Sequence, residues 1–135
     1  MMNDCIFCKI ANGEIPSHTV YEDERFRAIL DIAPASFGHT LILPKSHSDD
    51  LFGLDDETAA HLLPLAKALA TKVKAETGCA GINILQNNGA AAGQTVLHYH
   101  LHIIPRMDGD GVLPEWAHLE HDPEAFAALA GKIKG

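Results

Sequence analysis

Residues 98–104 read His-Tyr-His-Leu-His-Ile-Ile, in a chain of 135 residues that holds nine histidines. On a strand the side chains alternate between faces, so His98, His100 and His102 share one face while Tyr99, Leu101 and Ile103 share the other. Neighbouring imidazoles on such a face stand about 6.5–7 Å apart, twice the rise per residue. That spacing suits three groups acting on different atoms of one ligand. The chemistry open to them is nucleophilic or acid–base work by a ring that is neutral near pH 7. The other possibility is chelation of a metal by histidines two residues apart. A second cluster is Cys5-Ile6-Phe7-Cys8. Two thiolates at this spacing can hold one corner of a tetrahedral zinc if two more ligands arrive from elsewhere; two free thiols are the plain alternative. With Cys79 alone, three cysteines do not build a disulfide framework.

These side chains need elements to position them. Residues 5–11 have the length and apolar spacing of a short helix, with Asp4 as its N-cap. Thr19–Glu22, residues 25–30 and residues 40–43 read as strands separated by Asp23-Glu24 and by the turn-formers of residues 34–38, a meander in its simplest connection. From Asp55, Leu62, Leu65, Leu69 and Val73 recur every three to four residues, the mark of an amphipathic helix that Gly78 ends. Pro64 lies inside it and predicts a kink or a second helix starting near Leu63. Residues 82–85 and 97–104 return to strand character around a loop of small polar residues, 87–94. Residues 123–133 predict a terminal helix, and the segment from about 107 reads as a mobile tail. The fold class expected is α+β, one domain with a five-stranded antiparallel meander sheet, one long helix and short terminal helices.

Composition excludes several functions. Ten Lys and Arg against eighteen Asp and Glu leave a net charge of −8, with no basic run to neutralise a nucleic-acid backbone. A single phosphate needs only a few aligned donors, so a nucleotide is not excluded. No run approaches the roughly 18 apolar residues of a membrane span, and the first residues, Met-Met-Asn-Asp-Cys, carry neither the basic segment nor the apolar stretch of a secretion signal. A cytoplasmic protein with reduced thiols is expected.

The motif of three alternating histidines resembles the histidine triad family of nucleotide hydrolases and transferases. It follows Asn87 and the run Gly93-Gln94-Thr95-Val96. The likeness extends through residues 5–10, Leu30-Asp31-Ile32 and Gly38-His39-Thr40-Leu41-Ile42-Leu43-Pro44-Lys45 to Pro105-Arg106. It is nearest to the Hint-like branch, whose characteristic reaction is hydrolysis of adenosine phosphoramidates.

The resemblance implies that His100 attacks the α-phosphorus and forms a covalent nucleotidyl-histidine. It implies that His102 contacts the phosphate or helps protonate the leaving group, with His39 in support. Asp31 would accept the ribose hydroxyls, with Ile6, Phe7, Ile10, Leu30 and Ile32 enclosing a purine. Asn87 would touch the phosphate. Gly93 lets the backbone come close, and Gln94 and Thr95 bring side-chain and backbone donors to the growing phosphoryl charge. Bacterial-type members close a structural zinc site with the ligand types found here at Cys5, Cys8, His47 and His98. Members pair as homodimers. Rival readings are hydrolysis of dinucleoside polyphosphates, a protein in which His98, His100 and His102 chelate a metal together, and a nucleotide sensor without turnover. His18, His61, His118 and His121 are expected at the surface.

Overall fold

The structure, a computed structural model, describes residues 4–135. The first three residues, part of the stretch read as carrying no signal segment, lie outside the described residues. Helix α1 (Ile6–Ala11) is capped by Cys5, whose Sγ accepts the N–H of Cys8 at 3.3 Å, and not by Asp4. The cap thus fixes the two thiols relative to each other.

Strands β1 (Thr19–Glu22), β2 (Phe26–Leu30) and β3 (Thr40–Pro44) form the expected meander. Helix α2 (Asp56–Thr77) follows, capped by Asp55 on the N–H of Thr58 and ended by Gly78 in the left-handed region. It runs through Pro64 as one helix, so the second helix expected near Leu63 does not form. Pro64 is exposed, so water can reach the carbonyl it leaves unpaired, while buried Leu62, Ala66 and Leu69 anchor both sides.

Strand β4 (Gly81–Leu85) does not continue the meander beside β3. The sheet order is β1-β2-β3-β5-β4, antiparallel throughout, so β5 (Leu101–Arg106) is inserted between β3 and β4. β5 also starts later and ends later than the periodicity suggests. Tyr99 N–H is taken by the Ser48 carbonyl at 2.7 Å and the His98 carbonyl by the His100 ring, so neither joins the ladder. At the other end Pro105 and Arg106 pair with Ile82 and Gly81.

The sheet has two covered faces. Phe26, Ala28, Ile42, Tyr99, Leu101 and Ile103 pack with Leu62, Ala66 and Leu69 of α2, while Ile29, Leu41 and Leu43 pack with Ala11, Phe7 and Ile10 around α1. His102 stands opposite Leu41 and therefore faces the α1 side. Beyond β5, Asp110 accepts from Arg106 and from the N–H groups of Met107 and Val112, so the tail read as starting near 107 first makes a tied turn. Helix α3 (Pro123–Lys134) has no buried residue.

Gly38 turns the chain into β3 with φ 96°, and a Cβ there would lie 2.8 Å from Thr77 Cγ2 at the end of α2. Both the backbone and the space demand glycine. Gly38→Ala is expected to destabilise the fold by about 2 kcal/mol, read as a lower denaturant midpoint at unchanged slope. An unchanged midpoint would show that α2 can yield at this contact.

Candidate active site and metal centre

Each histidine of the triad is committed through one ring nitrogen to a different partner. The His100 ring donates Nδ1–H to the His98 carbonyl at 2.7 Å, which leaves the Nε2 lone pair free. No hydrogen bond among the described residues uses Nε2 of His100 or of His102, and neither is a buried atom without a partner. Both atoms therefore reach accessible space. Phe7 of α1 sets its ring edge-to-face against His100, with centroids 4.9 Å apart, and limits the tilt of the imidazole.

His98 is fully buried and donates Nε2–H to the Pro44 carbonyl at 2.8 Å. Its Nδ1 lone pair then faces Cys5 Sγ at 3.3 Å, Cys8 Sγ at 3.4 Å and His47 Nδ1 at 3.2 Å. His47 in turn gives Nε2–H to Asp49 at 2.7 Å, so its Nδ1 is also without a proton. Two lone pairs 3.2 Å apart repel unless something positive lies between them. The four ligand atoms all lie within 4.8 Å of one another. Burial first, then the neighbouring Cys5, pushes the Cys8 thiol up to about 11, so Cys8 stays protonated at neutral pH until a cation displaces its proton. A divalent ion bound by two thiolates and two neutral imidazoles would leave the site uncharged. The donor set therefore fits a tetrahedral metal.

His102 belongs to another group. Its Nδ1 lies 2.9 Å from His39 Nε2, and the Nδ1 of His39 accepts the backbone N–H of Ala35 at 2.9 Å. Asp31 Oδ2 stands 3.7 Å from His39 Nε2, too far for a hydrogen bond, while its Oδ1 accepts from Ala33 N–H. Burial, and then His100 and His39, lower His102 from its ordinary value near 6.5 to about 4; burial also lowers His39 against the pull of Asp31.

The alternating faces are thus as expected, with Tyr99, Leu101 and Ile103 in the core. The spacing is not, because the His100 and His102 centroids are 4.9 Å apart where twice the strand rise gives 6.5–7 Å. His100 precedes the strand and leans toward its neighbour. The three rings do not converge on one point, and no metal-ligand cluster among the described residues includes His100 or His102.

The loop residues divide. Gln94 is buried, with Oε1 taking the Gly89 N–H and Nε2 giving to the Asp49 and Val96 carbonyls. Its side chain shapes the loop and has nothing left for a phosphate. Gly93 has φ 96°, and a Cβ there would lie 3.5 Å from Asn87 Nδ2, so these two are brought together. Thr95 is exposed and lies beside Cys5 and His47. Ile32, next to Asp31, is 87% exposed, an apolar side chain free to lie against a ligand. Leu30 pairs with Thr40 and faces α2, so it cannot enclose a base on the histidine side. His18, His61, His118 and His121 are exposed as expected. Sequence reasoning missed Asp49, although its place two residues after His47 was a visible signal. It also missed the Ala35 N–H and the Pro44 carbonyl, which are backbone groups and leave no trace in residue type.

The chain belongs to the histidine triad, or HIT, family: the sequence profile of the HIT domain matches residues 12–109. Over 130 residues it is 43% identical to an adenosine 5'-monophosphoramidase of Schizosaccharomyces pombe, covering 96% of this chain and 95% of that protein. The crystal structure of a HIT family protein from Bacillus anthracis superposes with a TM-score of 0.90 at 41% identity, over 98% of this chain and 96% of that one. A zinc-bound histidine triad family protein from Mycobacterium smegmatis gives 0.75 at 37% identity, over 95% and 96% of the two chains.

The lowered His39 and His102 have a consequence for stability. The unfolded chain, with histidines near 6.5, binds more protons than the folded one between that value and about 4, so stability falls as pH drops through this window and is level above it. Denaturation at pH 8 and pH 5 should show the loss, and His102→Gln should lose less between the two. Equal losses in both proteins would mean that His102 titrates normally in the folded state.

Proposed function

We propose that this protein is a nucleotide hydrolase that cleaves purine nucleoside phosphoramidates at the α-phosphorus through a nucleotidyl intermediate on His100. The observation that carries the reading is the His100 ring itself, with Nδ1–H held by the His98 carbonyl at 2.7 Å and Nε2 free in accessible space. A nucleophilic imidazole needs that fixed tautomer.

His100 Nε2 forms a bond to phosphorus as the bond from phosphorus to the leaving nitrogen breaks. The nitrogen keeps the electron pair and takes a proton from water. A second water then attacks phosphorus, releases the nucleoside monophosphate and restores His100, its surplus proton passing to solvent. The Nδ1–H bond to the His98 carbonyl disperses the positive charge that the ring carries while it is joined to phosphorus.

Asp31 takes the ribose hydroxyls and Ile32 lies against the base. Asn87, Gly93 and Thr95 border the phosphate, with Gln94 holding their loop, and His102 and His39 complete the site. Cys5, Cys8, His47 and His98 hold a structural zinc. An ion bound by these four residues would fix the His98 backbone and would supply no step of the transfer. Reduced thiols are needed to bind it, in keeping with work in the cytoplasm. The family resemblance further supports a homodimer joined along β4 and α2, where Ile84 and Leu63 are exposed.

Incubation with an adenosine phosphoramidate should release AMP faster than incubation with a diadenosine polyphosphate, and quenching early in turnover should trap the nucleotide on His100. His100→Ala should lower turnover by at least about a thousandfold. A variant that keeps its rate, or a label that resides elsewhere, removes His100 as the nucleophile. Elemental analysis should find one zinc per chain in the wild type and in His100→Ala, and little in Cys8→Ser. Zinc lost from His100→Ala as well would put that residue among the ligands.

A further inference from the structure

The hydrogen bonds around His39 set a direction that runs from a backbone amide to the substrate side of the site. Ala35 N–H points at His39 Nδ1 at 2.9 Å, so that nitrogen must be the acceptor and the proton of a neutral His39 must sit on Nε2. His39 Nε2–H then meets His102 Nδ1 at 2.9 Å and makes that nitrogen an acceptor in turn. The one proton of a neutral His102 is left on Nε2, which is accessible and has no protein partner among the described residues. His100, by contrast, presents a lone pair at the same atom because a carbonyl holds its Nδ1. Two backbone groups of opposite polarity give two adjacent imidazoles opposite roles.

We propose that the Ala35 backbone N–H and His39 are positioning residues that hold His102 as a neutral hydrogen-bond donor to a phosphoryl oxygen, and that His102 does not supply the proton of the leaving group. The proposal rests on the nucleotide-hydrolase reading for what His102 touches; the tautomer itself does not depend on it.

The exclusion is geometric. A neutral His102 that surrendered Nε2–H would become an anion unless a proton arrived at Nδ1. Only His39 is placed to deliver one there, and His39 would then need a replacement at its own Nδ1, where the Ala35 N–H already points. A cationic His102 meets the same obstacle, because its Nδ1–H would face the Nε2–H of His39 at 2.9 Å. The relay ends on an amide that cannot give up its proton. Asp31, 3.7 Å from His39 Nε2, favours the N–H on that atom and strengthens the same direction. The low affinity of His102 for a second proton agrees with this arrangement.

Two measurements test it. In the ¹⁵N-labelled full chain, long-range proton–nitrogen spectra at pH 7 should show His102 protonated on Nε2 and bare on Nδ1. In His39→Leu the ring should become a mixture of tautomers, and His39→Gln, which retains an N–H donor, should restore much of the preference. A proton found on Nδ1 of His102 in the wild type overturns the proposal.

The second measurement uses adenosine phosphoramidates whose amine leaving groups differ in basicity. His102→Ala should lower kcat/KM by about a hundredfold for every member, the scale of losing one oxyanion donor, and His102→Gln should regain part of it. A loss that grows steeply with leaving-group basicity and is not rescued by Gln identifies His102 as the acid and overturns the proposal. A wild-type chain that shows the stated tautomers but cleaves none of the series upholds the positioning by Ala35 and His39 and removes the hydrolase reading instead.

Discussion

His98 is the residue on which the site depends, because three of its groups are committed in three directions. Its Nε2–H binds the last carbonyl of β3, its Nδ1 faces the two thiols and His47, and its own carbonyl receives the proton of His100. A fully buried imidazole must satisfy both nitrogens, and here one is satisfied by the sheet while the other faces the cluster of Cys5, Cys8 and His47. The carbonyl is thereby fixed in space. The His100 ring inherits its orientation from the residue two positions before it, so whatever orders the thiol corner orders that ring as well.

The sheet order serves the same end. Inserting β5 between β3 and β4 sets His102 opposite Leu41 on one side and Leu85 on the other, within reach of His39 just before β3. A strand at the edge would offer one neighbour; the inner place offers two, and it buries Leu101 and Ile103 against α2 beside Tyr99, which precedes the strand. Helix α1 covers the other face and brings the Phe7 edge to His100. With Cys5 serving as the cap of α1, one short helix sets both the thiols and the aromatic wall.

The two proton-holding devices explain why neighbouring histidines need not behave alike. Around His100 a carbonyl imposes a lone pair on the accessible nitrogen; around His102 an amide, acting through His39, imposes an N–H. Both are backbone dipoles, and the exposed turn that carries the amide is held at fixed points, among them Ser36, whose hydroxyl donates to the Pro105 carbonyl at 2.7 Å. Gly38 is one such point, where the chain passes so close to Thr77 that no side chain fits.

Much of this was legible in residue order. Alternation alone separated the histidine face from Tyr99, Leu101 and Ile103, the cap and period defined α2, and the three histidines with Cys5-x-x-Cys8 named the chemistry. Those features are local, set by the period of two or 3.6 and by residue type. The place of β5 in the sheet, the passage of α2 through Pro64, the engagement of Gln94 with its own loop and the direction of Leu30 were not legible, since each is decided by what packs against the segment from afar. The proton on each imidazole belongs to the same class. The sequence determined which rings stand in a row; only the tertiary structure, by setting a carbonyl beside one and an amide behind another, decided which ring presents a lone pair and which a proton.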